Sequence, residues 1–155
     1  MQVKKYNLRL IGRREHVSFP LLGIFNIEAK IDTGAYTSSL HCEDISVITE
    51  NDKSVLKFTI AKPGSNDTKT FYFNEFTQKK IKNSFGEMEE RYIIRSIVII
   101  GKKKIHSNLS LSNRDNMRYP VLIGRKLIKG KFLIDPNQVH IGGTRIAEDI
   151  KKIIN

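Results

Sequence analysis

A chain of 155 residues with 39% hydrophobic and 28% charged residues has the composition of a soluble globular domain, long enough to bury a core of its own. Lysine and arginine outnumber aspartate and glutamate 27 to 16, and the resulting charge of +11 favours acidic partners through long-range attraction. The longest apolar run, Ile97-Val98-Ile99-Ile100, is far too short for a membrane span, and no tryptophan, arginine-rich helix or aromatic ladder gives the basic charge a nucleic-acid signature.

Met1 to Leu10 carries lysines without the apolar stretch of a secretory signal, so a cytoplasmic location is expected. The single cysteine, Cys42, cannot close an internal disulfide, in keeping with a reducing compartment. Alternating and short apolar runs predict strands at Leu8–Ile11, His16–Phe19, Phe25–Ile31, Val55–Ile60, Thr70–Phe73, Tyr92–Ile100, Lys104–Leu111, Tyr119–Ile123, Lys131–Ile134 and Val139–Ile141. Strands so short and numerous predict a mainly β fold, a small barrel or sandwich, in one domain over residues 1–155. Between Ala61 and Arg91 the chain turns polar, and the turn signals Pro63-Gly64-Ser65-Asn66-Asp67 and Asn83-Ser84-Phe85-Gly86 mark hairpin tips or loops. A short helix is expected from Gly124 through Ile128, ended by Gly130. A terminal helix is expected over about 144–155, where Thr144 can cap and Ile146, Ile150, Ile153 and Ile154 share one face.

The informative stretch runs from Ala29 to His41. An apolar strand delivers Asp32 at its end, Thr33 adds a hydroxyl, and Gly34 lets the backbone turn tightly against the carboxylate. Such a turn exposes an acid while still feeding it hydrogen bonds.

Asp32-Thr33-Gly34-Ala35 after an apolar strand resembles the active-site loop of aspartic peptidases, and Pro120-Val121-Leu122-Ile123-Gly124-Arg125 resembles the segment of retropepsins that passes beside that loop into a short helix. With Thr37-Ser38-Ser39-Leu40-His41, Asn113-Arg114-Asp115 and Lys131-Phe132-Leu133-Ile134-Asp135-Pro136, the chain is similar from about Gly12 to Ile141 to a bacterial family labelled ATP-dependent zinc protease, which has a retropepsin-like fold. The resemblance implies a closed acid-protease barrel and a catalytic set of Asp32, Thr33 and Gly34. Ala35, Thr37, Asn113, Arg114, Gly124 and Arg125 are the residues it suggests for binding substrate or shaping the site. Aspartate-based hydrolysis needs two carboxylates sharing a proton, and one motif supplies one, so a homodimer with Asp32 from each subunit is implied. Thr33 would then hold the opposing loop. Where retroviral enzymes carry acidic residues after the motif this chain has Tyr36-Thr37, which leaves Arg125 to pair with Asp115 or Asp135 or to face substrate.

No cofactor is expected. His16, His41, His106 and His140 are scattered and form no His-Glu-x-x-His, and Gly101-Lys102-Lys103-Lys104 is no phosphate loop, so neither zinc nor ATP finds its motif. His41 and Cys42, adjacent on a strand, point to opposite faces and read as structural.

Three functions follow in order. The first is an aspartic endopeptidase acting on peptides or on acidic, glutamate-rich protein tails, since the family resemblance implies an association with ATP-grasp ligases that add glutamates. The second is a non-catalytic module of the same fold that regulates such a ligase. The third, a zinc hydrolase, requires bound metal. Neither nucleic acid nor membrane is an expected partner.

Overall fold

The apolar residues of this sequence recur mostly at every second position, and in the computed structural model they line the inside of a closed β-barrel. Residues 8–61, 66–82, 86–113 and 118–143 are described. The elements are β1 (Arg9–Gly12), β2 (Arg14–Phe19), β3 (Ile24–Ile31), β4 (Ser38–His41), β5 (Glu43–Glu50), β6 (Lys53–Ala61), β7 (Thr68–Phe73), β8 (Thr77–Lys82), β9 (Met88–Ile100), β10 (Lys103–Ser112), β11 (Val121–Ile123), α1 (Arg125–Ile128) and β12 (Phe132–Asp135). Strands β10, β4, β11, β3, β2 and β9 are hydrogen-bonded in that order, and β9 pairs back to β10, which closes the ring. Closure removes the sheet edges, apart from β8, which extends β9. Strands β5, β6 and β7 form a separate antiparallel sheet, and β1 lies parallel to β12.

In the β2–β3 pair, Val17, Phe19, Ile27, Ala29 and Ile31 are buried while His16, Glu28 and Lys30 lie on the other face. Phe19, Leu22, Leu40, Ile94, Ile100, Leu109, Leu111, Ile123 and Leu127 are fully enclosed in the same core. Each such side chain contributes about 1.5–3 kcal/mol by leaving water. The β5–β6–β7 sheet joins that core through Phe58, whose ring lies 5.4 Å from Phe71 and 5.5 Å from Phe73, centroid to centroid. No helix among the described residues is long and apolar enough to cross a membrane.

The mainly β barrel and the short helix after Gly124 agree with the sequence. The differences have physical reasons. Strands β5 and β8 were not expected, because their side chains are largely exposed and hydrogen-bonded ladders rather than an apolar stripe hold them. Strand β4 was hidden in the polar run after the Asp32 turn, where Ser38 and Ser39 are buried. The segment between Ala61 and Arg91, expected to be irregular apart from the strand at Thr70–Phe73, carries that strand as β7 and, beyond it, β8 and the start of β9. Val139–Ile141 forms no strand, because His140 has a left-handed backbone with φ of 53°. This segment is pinned instead: Arg13 N–H donates to Gln138 O and His140 N–H to Arg14 O, each at 2.9 Å. The buried Glu15 carboxylate then accepts from Gly12, Ile141 and Gly142 N–H at 2.7, 3.1 and 2.9 Å. The expected helix over 144–155 lies outside the described residues, as do Pro63-Gly64-Ser65, Asn83-Ser84-Phe85, Arg114 and Asp115.

Candidate active site

Strands β3 and β11 run parallel with Ala29 beside Val121, Lys30 beside Leu122 and Ile31 beside Ile123, so Asp32 emerges at the rim next to Gly124. Asp32 N–H continues the ladder by donating to Ile123 O at 2.8 Å. The chain then turns: Ala35 N–H donates to Asp32 O at 3.2 Å, and Gly34 N–H donates to Asp32 Oδ1 at 3.0 Å. A Cβ on Gly34 would stand 3.2 Å from Oδ1, so glycine keeps the amide close to the acid. Asp32 is half-buried, while Thr33 and Gly34 are exposed. The carboxylate accepts this one hydrogen bond among the described residues and keeps lone pairs for other groups.

The loop is locked from the far side. Gly124 N–H donates to the buried Ser38 Oγ at 3.0 Å, Arg125 N–H to Ala35 O at 2.8 Å and Lys126 N–H to Tyr36 O at 3.0 Å. The first amides of α1 thus satisfy loop carbonyls instead of remaining unpaired. A Cβ at Gly124 would lie 2.7 Å from Tyr36 O and 2.9 Å from Thr37 C, so only glycine admits this approach. Arg125 does not pair with Asp135. Its Nη1 donates to Thr33 O at 2.9 Å, and its guanidinium sits 5.8 Å from the Tyr36 ring centroid. Among the described residues the guanidinium is held by the backbone of the Asp32 turn itself. Asp135 accepts from Asn137 N–H and Gln138 Nε2, which hold its carboxyl below the ordinary carboxylate range.

A cleft of about 260 Å³ opens beside the turn, lined by Ala35, Tyr36, Thr37 and Ser39 and by Lys79 and Arg91. The last two were missed by sequence reasoning, since they fall in the stretch that looked irregular. Only the β8–β9 register sets them directly opposite each other. Facing cations cost up to about 1 kcal/mol in a sheet, so this pair is no stabilising feature of the fold. Arg91 Nε is buried and has no hydrogen-bond partner among the described residues, while Nη2 stands 3.6 Å from Glu89 Oε2. A second hollow of about 560 Å³ lies between Thr33, Tyr36, Arg125 and Ile128. Asn113 is exposed and lines a separate cavity with Glu89, Glu90 and Arg91, not the cleft that Ala35 and Thr37 line. Cys42 is enclosed, with Sγ 3.6 Å from Leu40 O, and burial pushes its thiol far up, which leaves no thiolate for chemistry.

The sequence profile of the family described as retropepsin-like aspartic endopeptidase RimB matches residues 10–144, a span that holds both the Asp32 turn and the Gly124 segment. The chain belongs to the RimB-like family. That description is of an aspartic endopeptidase, and it gives no support to the ATP-dependent zinc protease label. A crystal structure from Legionella pneumophila, of the protein Lpg0085 with unknown function (DUF785), superposes on 88% of this RimB-like chain and 98% of its own, with a TM-score of 0.69 and 26% identity. Curated relatives carry a different name. The chain is 36% identical over 150 residues, 95% of its length, to a "Probable alpha-L-glutamate ligase" of Shewanella halifaxensis, and 34% identical over 134 residues, 84% of its length, to one of Parasynechococcus marenigrum. It spans only 32% and 28% of those ligases, so it resembles one part of a longer protein.

Proposed function

We propose that this chain is an aspartic endopeptidase whose active centre forms when two copies bring their Asp32 carboxylates together. The observation that carries the reading is the presentation of Asp32: a turn locked by Gly124 and Arg125 holds a half-buried carboxylate that accepts a single hydrogen bond among the described residues. Two such groups about 3 Å apart cannot both ionise, so one proton is shared. The ionised Asp32 takes a proton from water as the water oxygen attacks the scissile carbonyl, and the neutral Asp32 gives its proton to the carbonyl oxygen. The Asp32 that took the proton then gives it to the scissile nitrogen while the other takes one back from a hydroxyl of the tetrahedral intermediate, and collapse releases a carboxylic acid and an amine. No metal or nucleotide enters these steps.

The substrate we assign is an acidic, glutamate-rich peptide. Lys79 and Arg91 face each other beside the cleft, and Arg91 Nε lacks a partner among the described residues. An extended chain of carboxylates would relieve that repulsion, and the charge of +11 would speed its approach. The ligase name of the relatives points to the same chemistry, the joining of glutamates.

A second reading, a non-catalytic module that regulates a glutamate ligase, rests on the extent of the match: this chain resembles about a third of those ligases. One experiment separates the two. Wild-type protein and Asp32→Asn are incubated with poly-glutamate and with neutral peptides, and molecular mass in solution is measured alongside. Cleavage of poly-glutamate by a dimer, reduced on the order of 10³-fold or more in the variant, is the expected result. A monomer that cleaves nothing, or cleavage unchanged by the substitution, overturns the proposal.

A further inference from the structure

Two of the four histidines, 124 positions apart in sequence, meet over one carboxylate on the outer face of the barrel. His16 on β2 stands directly opposite Glu28 on β3 in the antiparallel ladder, which fixes the two side chains on one face. His140 reaches the same point from the pinned segment, where its own N–H is bonded to Arg14 O and its backbone takes the left-handed conformation. Glu28 Oε2 lies 2.8 Å from His140 Nε2 and 3.2 Å from His16 Nε2. One ligand-type atom from each residue lies within 4.8 Å of the other two, and all three residues are half-buried.

We propose that His16, Glu28 and His140 form a site for a divalent transition-metal ion, of which zinc is the type. Two imidazole nitrogens and one carboxylate oxygen are the donor set that such ions prefer over calcium or magnesium. Ligand atoms about 2.05 Å from a tetrahedral zinc stand about 3.3 Å from each other, and the two separations measured to Glu28 Oε2 are within half an ångström of that. The carboxylate is itself supported from outside, with Arg14 Nη1 3.7 Å from Oε1, and both its oxygens face His140, Oε1 at 2.9 Å and Oε2 at 2.8 Å from Nε2, while Oε2 also reaches His16. The imidazole rings stack with centroids 4.1 Å apart and planes inclined by 10°. An ion cannot lie in two parallel ring planes at once, so uptake requires one ring to rotate about χ2 while the backbone stays in place. The fourth ligand position is left to water.

This site is separate from the peptidase centre. Glu28 precedes Asp32 by four residues along β3, about 13 Å at 3.3 Å per residue. Its role is mechanical: the ion would join β2, β3 and the segment around His140, which no strand pairing holds. A spacing motif cannot reveal such a site, because two of its ligands come from a ladder and the third from a distant turn.

The test uses the full chain, stripped with chelator and titrated with zinc by calorimetry and with cobalt(II) by visible absorption. One ion per chain, with the ligand-field bands of a four-coordinate cobalt, is the expected result. Glu28→Gln and His16→Gln, which keep size and polarity, and His140→Ala should each weaken binding on the order of 100-fold. Asp32→Asn should bind as the wild type does, which keeps this result independent of the peptidase reading. Zinc should raise the melting temperature of the wild type and leave that of Glu28→Gln unchanged. Absence of heat and of ligand-field bands at saturating metal overturns the proposal, and so does undiminished binding in a folded His16→Gln, Glu28→Gln double variant.

Discussion

Glu15 lies on β2 and Asp32 just past the end of its neighbour β3, and the surroundings of the two carboxylates are opposite. Glu15 is 1% exposed, and three backbone N–H groups occupy three of its roughly four lone-pair sites. Asp32 stands half-buried at a rim and accepts from Gly34 N–H. A carboxylate buried among three amides anchors backbone and is closed to a substrate. One held by its own turn but left short of partners is available to water and to a second acid. Residue type alone does not separate the roles; the supply of donors does.

The largest expected effect tests the buried member. Glu15→Gln turns one acceptor into an NH₂ group facing backbone donors, and should cost roughly 3 kcal/mol in chemical denaturation, with activity per folded molecule unchanged. Equal stability would mean that the pinned segment is held by other contacts. Next comes the lock on the Asp32 turn. Gly124→Ala drives a methyl group against Tyr36 O and Thr37 C, backbone atoms that cannot swing aside, and should cost about 2 kcal/mol and lower peptidase activity together. Loss of stability with full activity would show that the turn tolerates displacement.

A smaller effect is expected in the cleft. Lys79→Gln and Arg91→Gln should each raise KM for a glutamate-rich peptide about tenfold at low salt, with little change for a neutral peptide, and the difference should shrink as salt is added. A uniform loss on both peptides would assign the pair a structural role. The smallest effect concerns Asp135, whose carboxyl is lowered first by the bond from Gln138 and then by that from Asn137. A depressed acid contributes stability that is complete above its ordinary value of 3.8 and disappears as pH falls through the lowered one. The gap in melting temperature between the wild type and Asp135→Asn should therefore be steady near neutrality and close in strong acid. A gap that widens on acidification would reverse the sign.

The barrel was legible because Val17, Ile27, Ala29 and Ile31 alternate with polar residues, as burying one face of a strand requires, and because Ile97-Val98-Ile99-Ile100 is a short apolar run of β-branched residues. The Asp32 turn and its Gly124 neighbour were legible as short motifs whose chemistry demands particular residues. Lys79 and Arg91 were not, because β8 is held by its ladder and its exposed side chains leave no hydrophobic period. The Thr33 carbonyl was not foreseen as a partner of Arg125 for another reason: sequence suggests acids for an arginine, whereas the loop offers a carbonyl that any residue could supply. His16 and His140 looked scattered and Glu28 went unremarked, because their proximity depends on a register and on one left-handed residue, neither of which a linear pattern records.

Strand β11 has only three residues, yet it is the neighbour of both β3 and β4 and supplies the carbonyl that receives Asp32 N–H. Its contacts with the Asp32 turn span some ninety positions, as the Arg125–Thr33 bond does at a separation of 92. Contacts that distant form late, after the entropy of a long loop has been overcome. During synthesis the aspartate emerges early and stays an ordinary exposed acid until residues 121–125 arrive to shape its turn. The Asp32 turn thus takes its locked form only once a segment some ninety positions further along the chain has joined it.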